Sequence, residues 1–435
     1  MDVSPDHLLS KLRQIPVYPD IQTWWLAYSG GLDSQVLLHL LSQLPLNLKA
    51  VYVDHGLQAE SAQWAQHCQQ CCDSLKVPFQ QIHVDARAGR RESPEAAARK
   101  ARYAALQSLM QPGDCLLTAH HQDDQAETLL LQLFRGAGVK GVAAMPFFKT
   151  WGPVYHARPL LEVGRASLHA YARQHQLKWV EDPSNLQLHY DRNFIRHQLM
   201  PLLQQRWPAI QSSLQRYAAH QGESEQLLQQ LAQMDLASLE HSHEFLSISS
   251  LAQLDALRQK NLLRYWLSSN ACPLPSSAIL DEMLKQLVHG SEDSRAQVSW
   301  AGMQARTFQG RLYVLPCREH DASQCLAWDG LQALCIDSLN QSLQMESRAG
   351  GLRQDILSQL LEVRFRQGGE VIRPAGRSQH HALKKLFQEA GVPPWERDRI
   401  PLLYLEGKLI AVADYWVADE YAVDKQASGV VPVLR

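Results

Sequence analysis

Four short apolar runs punctuate the first 200 residues: Thr23–Tyr28 (TWWLAY), Leu48–Val53 (LKAVYV), Phe79–Val84 (FQQIHV) and Cys115–Ala119 (CLLTA). Their length and their aromatic and β-branched content suit buried strands. Between them, apolar residues recur at helical spacing, as in DSQVLLHLLSQL from Asp33 and SPEAAARKARYAALQSLM from Ser93. Strand and helix in alternation predict an α/β fold, a doubly wound and mostly parallel sheet with helices on both faces. Ligands of such sheets gather at the carboxyl ends of the strands. The unusual sequences fall there: SGGLDS (Ser29–Ser34) after the first run, DHGL (Asp54–Leu57) after the second, HHQDDQAET (His120–Thr128) after the fourth.

Near position 212 the pattern changes. Gln211–Gln286 is rich in Gln, Ser, Ala and Leu at helical spacing and predicts no strand before about Val298. Cys317–Arg348 is polar and reads as a linker with some structure. From Glu362, EVRFRQGGEVIRPAGR alternates as a hairpin, HALKKLFQEAG reads as a helix and KLIAVADYWVADEYAV as strand. The expected division is an α/β domain at 1–212, a mainly helical domain at 213–325 and a small α+β domain at 355–435. No internal repeat is present.

Composition narrows the class. The chain has 435 residues, 45% hydrophobic and 20% charged, with a formal net charge of -2. It is not a polycation, so any nucleic-acid surface must be local. The start MDVSPDHLLSKLRQIP has no apolar signal core, and no run approaches the roughly 18 to 20 apolar residues that span a bilayer. A cytoplasmic location without a membrane partner is expected. Eight cysteines in a chain of this length are no disulfide scaffold. Cys68 and Cys71 have C-x-x-C spacing, but no second such pair follows, and helical spacing places them on a packed face.

SGGLDS carries the clearest chemistry. Gly30 and Gly31 allow unusual dihedrals and a close approach of backbone to phosphate. Ser29 and Ser34 add hydroxyls, and the helix that follows turns free N–H groups on an anion. Asp33, a carboxylate beside a phosphate site, calls for a cation between them and is read as a Mg²⁺ ligand; the bland alternative is a turn capped by Ser34 or Asp33. The loop lacks the lysine that grips a transferring γ-phosphoryl group. It fits attack at the α-phosphate of ATP, with pyrophosphate leaving.

Other candidates lie downstream. Asp124 and Glu127 are three apart at a predicted helix start and share a face, either as a binding site for an ammonium group or simply as acids favoured by the dipole. Adjacent His120 and His121 point opposite ways if extended, so at most one of them faces the site, as a nucleotide or substrate contact or, less in keeping with the pattern, a metal ligand; the alternative is packing. Arg192 and Arg196 are four apart on one helical face, where a fixed guanidinium could stabilise charge on the α-phosphate. The sequence leaves open which of the two does so.

SGGLDS resembles the PP-loop of the ATP pyrophosphatase superfamily. LLTAHHQDDQAETLLLQLFRGAGVKGVAAM (Leu116–Met145), SPEAAARKARYAAL, EDPSNLQLHYDRNFIRHQLMP and the terminal GGEVIRPAGRSQHHALKKLFQEAGVPPWERDRIPLLY are similar to the tRNA(Ile)-lysidine synthetase family in its longer, three-domain form. The likeness spans most of the chain and is weakest over the helical middle. It implies a ligase that uses ATP and Mg²⁺ to adenylate carbon 2 of the wobble cytidine in a CAU-anticodon tRNA(Ile), then attaches free L-lysine. Lysidine forms with release of AMP and pyrophosphate, so codon reading changes from AUG to AUA and identity from Met to Ile. The resemblance further implies ATP contacts at Ser29–Ser34 and at His55 after the second strand. It also implies lysine binding by Asp124 and Glu127, an essential arginine at Arg192 with Arg196 on phosphate or tRNA, and compatibility with a homodimer. Only the neutral amine of lysine attacks, so a group must take its proton, and Asp124 is the expected acceptor.

Two basic stretches suit RNA. Arg87, Arg90, Arg91, Arg99, Lys100 and Arg102 fall within sixteen residues. From Arg364 to Arg399 eight basic residues face four acids; Arg364, Arg373, Arg377, Lys384, Lys385 and Arg397 are the expected tRNA contacts, with Phe365 and Trp395 available for stacking. Two rivals remain. A PP-loop tRNA 2-thiolase would need catalytic or cluster-binding cysteines, and a non-catalytic tRNA-binding protein would have no use for Asp33 beside a phosphate nest.

Overall fold

The computed structural model describes residues 3–54, 56, 61–84, 94–290, 296–318 and 320–435. They form two compact units, Met1–Leu231 and Ala232–Arg435.

In the first unit the expected strands form as β1 (Trp24–Ala27), β2 (Leu48–Asp54), β3 (Phe79–His83) and β4 (Cys115–Leu117). The sequence reading missed a hairpin, β5 (Phe148–Trp151) and β6 (Val154–Ala157). Its strands are four residues each and turn at Trp151-Gly152-Pro153, too short for a clear period. The sheet order is β3-β2-β1-β4-β6-β5, parallel except for the edge strand β5. From β1 the chain winds outward to β2 and β3, then returns to set β4 on the other side of β1. The crevice at the carboxyl ends of β1 and β4 is therefore the switch point where ligands bind in open sheets.

The strand period decides which helix covers which face. Trp24 and Leu26 join a core with α1 (Pro5–Leu12), α2 (Leu32–Leu41), α3 (Ser61–Ser74) and, further on, Leu168 and Ala172. Trp25 points the other way and packs with Val51, Leu116 and Leu106 of α4 (Pro94–Leu109). Helices thus cover both faces, as the alternation predicts. Helix α5 (Gln122–Phe134) follows β4, α6 (Val139–Val142) leads to the hairpin, and α7 (Arg165–Gln174) carries Leu168 and Ala172. Helix α8 (Asp191–Phe194) runs on into a π-turn at Ile195–Leu199. Ala126, Leu129 and Leu130 of α5 pack on Ile195, Met200 and Ala218, which fixes α5 against α8.

In the second unit, helices at Ile248–Leu251, Ala256–Ser269 and Ser277–Met283 pack around Leu262, Leu263, Trp266, Leu280 and Met283. Phe245–Ser247, inside the stretch expected to be free of strands, pairs antiparallel with Arg311–Tyr313. Three residues are too few to leave a periodic trace. The expected linker contributes strands Cys325–Trp328, Leu334–Ile336 and Gln341–Ala349. The first pairs with Leu361–Arg364 and the last with Ser428–Leu434.

The expected hairpin from Glu362 does not form. Leu361–Arg364 pairs with Leu402–Leu405, whereas Val371–Ile372 pairs with His381–Ala382. Gly368 (φ +107°) and Gly369 (φ +89°) break the run between them. Glu370 accepts from the Gln367 and Gly368 amides and holds that break. Leu383–Glu389 is the helix foreseen there.

Candidate active site at the carboxyl edge of the first sheet

A cleft of about 1050 Å³ opens at the switch point, lined among others by Ser29, Gly31, Leu32, Asp33, Arg99, Arg102, His120, Asp124, Arg192 and Arg196. The loop after β1 is its floor. Gly30 has φ +77°, and a Cβ there would stand 2.8 Å from Cys68 Sγ, so glycine is required by conformation and by space. Gly31 differs: its φ of -72° is open to any residue, and a Cβ would meet only ordinary contacts. Its value lies in leaving room on the cleft side. Ser34 is spent inside the loop, where its Oγ accepts from the Ser29 amide at 3.3 Å and donates to the Gly31 carbonyl at 3.0 Å. The Val180 amide donates to the Gly30 carbonyl at 2.9 Å and laces the loop from outside. The first bond of α2 runs from the Gln35 amide to the Gly31 carbonyl, so the amides of Leu32, Asp33 and Ser34 precede the helical ladder.

Asp33 Oδ1 is buried and has no hydrogen-bond partner, while its Oδ2 is 3.5 Å from His121 Nε2. Among the described residues no group of three or more His, Cys, Asp or Glu could hold a metal. A lone orphaned carboxylate oxygen beside free amides fits Mg²⁺ shared with a polyphosphate, since Mg²⁺ is held by one or two carboxylates plus phosphate oxygens.

Behind the loop stands a four-membered ion cluster. Arg192 donates Nε to Glu127 at 2.8 Å and Nη2 to Asp124 at 2.9 Å. Arg196 donates Nε to Glu127 at 2.6 Å and Nη2 to Asp124 at 3.1 Å. The packing of α5 on α8 makes this possible, because Asp124 and Glu127 share the face that meets Arg192 and Arg196. Two carboxylates and two guanidiniums leave the cluster neutral. Burial would raise the Asp124 pKa, but His121, Arg192, His120 and Arg196 outweigh it and hold the carboxyl well below its usual range. Burial likewise opposes charge on both arginines, yet Asp124 and Glu127 raise them.

His121 caps α5: its Nδ1 accepts from the Asp123 amide at 3.2 Å, and Asp124 Oδ2 accepts from the His121 amide at 3.0 Å. Its Nε2 lies 3.5 Å from Asp33 and 3.4 Å from Asp124, joining the loop to the ion cluster. Burial lowers its proton affinity, but Asp124 and Asp33 raise it overall; the cap contact is made by the neutral ring, so protonation and capping compete. Of the two histidines only His120 lines the cleft. Its Nδ1 is 2.8 Å from Thr118 Oγ1, which is 2.9 Å from His156 Nε2, and Arg158 Nη2 stands 3.3 Å from His156 Nδ1. Burial drives both rings neutral, His120 to about 3.

Thr118, His156 and Arg158 were not singled out from sequence. The signal would have been VYHARP read as a strand, since pairing of β4 with β6 sets Leu116 opposite His156. His55, Arg87, Arg90 and Arg91 lie outside the described residues. Cys68 and Cys72 are buried, and burial pushes both thiols up, Cys72 to about 12. Such thiols are poor nucleophiles.

The expected tRNA contacts of the second unit are dispersed in role. Arg373 pairs with Asp419 at 2.9 Å and Arg377 with Glu389 at 3.0 Å. Arg364 bonds Glu362 at 2.9 Å and lies over the Tyr404 ring. Arg397 is buried with Nε on the Val392 carbonyl. Lys384 and Lys385 are exposed, and among the described residues no carboxylate is within salt-bridge reach of either. Phe365 is 2% exposed and packs against His320, so it offers no free stacking face. Trp395 is half-buried against Tyr313 and Phe308.

A parallel sheet with a lysine-free phosphate loop at its switch point defines a PP-loop enzyme, and the PP-loop domain family matches residues 6–203. A TilS substrate binding domain matches 246–313 and a TilS substrate C-terminal domain 361–433. The tRNA(Ile)-lysidine synthase of Coxiella burnetii is 41% identical over 416 residues, covering 94% of this chain and 92% of its own. That of Photobacterium profundum is 40% identical over 432 residues, covering 95% and 97%. The chain belongs to the tRNA(Ile)-lysidine synthase family. It is a tRNA-modifying ligase that uses ATP. Among the described residues no helix is long and apolar enough to cross a membrane.

Proposed function

We propose that this enzyme adenylates the wobble cytidine of the CAU-anticodon tRNA(Ile) and joins free L-lysine to it, making lysidine, with AMP and pyrophosphate as products. The observation that carries the reading is one cleft lined by both a lysine-free phosphate loop and Asp124, Arg192 and Arg196, with Glu127 buried behind the two arginines. Leu32–Ser34 amides and Ser29 would hold the β- and γ-phosphates, with His55 on the adenosine. Asp33 would hold Mg²⁺, which shields the charge of the departing pyrophosphate. The oxygen on carbon 2 of cytidine attacks the α-phosphorus and pyrophosphate leaves; the lysine amine then attacks carbon 2, and AMP leaves with that oxygen.

In this reading Arg192 stabilises charge at the α-phosphate, with Arg196 beside it toward the tRNA backbone. Asp124 and Glu127 bind the ammonium group. While both arginines are in place, Asp124 is too weakly basic to take a proton. An incoming ammonium that displaces a guanidinium would keep a cation beside Asp124 and free that guanidinium for the phosphate, so Asp124 would gain basicity only as the ammonium gives up its proton. Arg364, Arg373, Arg377, Lys384, Lys385 and Arg397 would serve tRNA binding, the exposed lysines most directly. The three-domain division at 1–212, 213–325 and 355–435, a homodimer and a cytoplasmic location belong to the same reading.

The test is nucleoside mass spectrometry of CAU tRNA digested after incubation with enzyme, ATP and lysine, alongside AMP release. Lysidine and lysine-dependent AMP are expected. Accumulation of ADP, or AMP release indifferent to lysine, would refute the assignment.

A further inference from the structure

The chain Arg158–His156–Thr118–His120 has a direction. Arginine has no acceptor, so Arg158 Nη2 donates to His156 Nδ1. His156 is fully buried and neutral, and its single proton therefore sits on Nε2 and goes to Thr118 Oγ1. Thr118 then spends its hydroxyl proton on His120 Nδ1 at 2.8 Å. The alternative, with His120 also donating to Thr118, would strand a buried hydroxyl proton. Each bond is set by the one behind it. The anchor is firm: Arg158 Nη1 also donates to the Pro146 carbonyl at 2.9 Å, and its amide to the Phe147 carbonyl at 2.8 Å.

We infer that this relay locks His120 as the Nε2–H tautomer and makes it a fixed neutral donor, not a base, to a non-bridging oxygen of the nucleotide α-phosphate. The site of action follows from place. His120 lies after β4 and lines the same cleft as the loop that follows β1, Asp124 and Arg192. What spans the gap between a bound pyrophosphate and the acceptor base is the α-phosphate; here the inference rests on the function proposed above. Asp124 acts on His120 against Arg158, Arg192 and Arg99, and Arg99 and Arg192 line the same cleft, which suits an anionic acceptor. A preorganised donor of this kind strengthens as charge develops on the phosphate. Thr118, His156 and Arg158 are positioning residues, acting through His120.

Two measurements on the full chain test it. In the nitrogen spectrum of [¹⁵N]histidine-labelled enzyme, assigned by the signal missing in His120→Gln, His120 should carry its proton on Nε2 and accept on Nδ1. In lysine-free ATP–pyrophosphate exchange with CAU tRNA, His120→Asn should lower kcat about ten- to a hundredfold with KM for ATP nearly constant. His120→Gln, whose amide N–H falls where Nε2–H was, should fall at least about tenfold less. A proton on Nδ1, or equal losses in the two variants, overturns the inference while wild-type exchange still stands. Absence of exchange in wild type would instead sink the proposed function. Thr118→Val should shift the His120 tautomer balance and Thr118→Ser should not; should the valine variant not fold, the wild-type spectrum decides.

Discussion

Glu127 shows how much one side chain can be asked to do. It is almost fully buried, yet it serves two guanidiniums, so its removal leaves buried cations unpaired. Glu127→Ala should therefore lower stability by about 3–5 kcal/mol, read by denaturant unfolding. Glu127→Gln keeps the volume and separates binding from folding. It should raise KM for lysine about ten- to a hundredfold, the worth of a hydrogen bond to a charged group, while lysine-free exchange changes far less. An unchanged KM would assign Glu127 to structure alone. Asp33 is the contrasting case, a partly exposed carboxylate whose only close partner among the described residues is His121. Asp33→Ala should abolish AMP release and leave tRNA binding nearly intact; loss of both would make Asp33 structural. Asp33, Asp124 and Glu127 were legible from sequence because each is a charge at a position where a bland residue would serve. That Arg192 and Arg196 both lie on those carboxylates was not legible, because it depends on α5 meeting α8 across more than sixty residues.

At the scale of elements, the phosphate loop and α3 depend on each other. Gly30 is the contact point, with no room for a methyl group against Cys68. Gly30→Ala should cost about 1–2 kcal/mol for the left-handed backbone, plus the steric overlap with the thiol. Adding Cys68→Ala should recover the overlap and leave the backbone term. Thermal unfolding of the single and double variants, with KM for ATP beside it, tells the two contributions apart; no recovery would place the whole effect in the backbone. Long, strongly patterned elements such as α2, α4 and β2 were readable because a buried face imprints its period on the sequence. Short ones were not. The β5–β6 hairpin and Phe245–Ser247 hold their places through pairing with distant strands, and the strand at Leu361–Arg364 takes partners from both flanks instead of its neighbour. The relay ending at His120 was hidden for the same reason, since His156 sits on the overlooked β6 and Arg158 directly follows it.

For the whole molecule, charge is nearly balanced, so tRNA affinity must come from local excess rather than from net attraction. The stretch Arg364–Arg399 carries such an excess on paper, but most of its arginines already face acids: Arg364 meets Glu362, Arg366 meets Asp398, Arg373 meets Asp419 and Arg377 meets Glu389. An arginine held by a carboxylate releases little when a phosphate arrives, because one anion only replaces another. Lys384 and Lys385 have no such partner among the described residues and stand on the exposed face of a helix whose Leu383, Leu386 and Phe387 are fully buried. Replacing both by Ala should weaken tRNA binding and reduce the slope of log affinity against log salt by about 1 to 2, roughly one per lost phosphate contact. Arg435→Ala, which removes an exposed arginine already paired with Glu346, is the comparison and should shift the slope far less. The two sets differ in pairing while both change exposed positive charge, so equal slopes would mean that general electrostatics, not the lysine face, holds the tRNA.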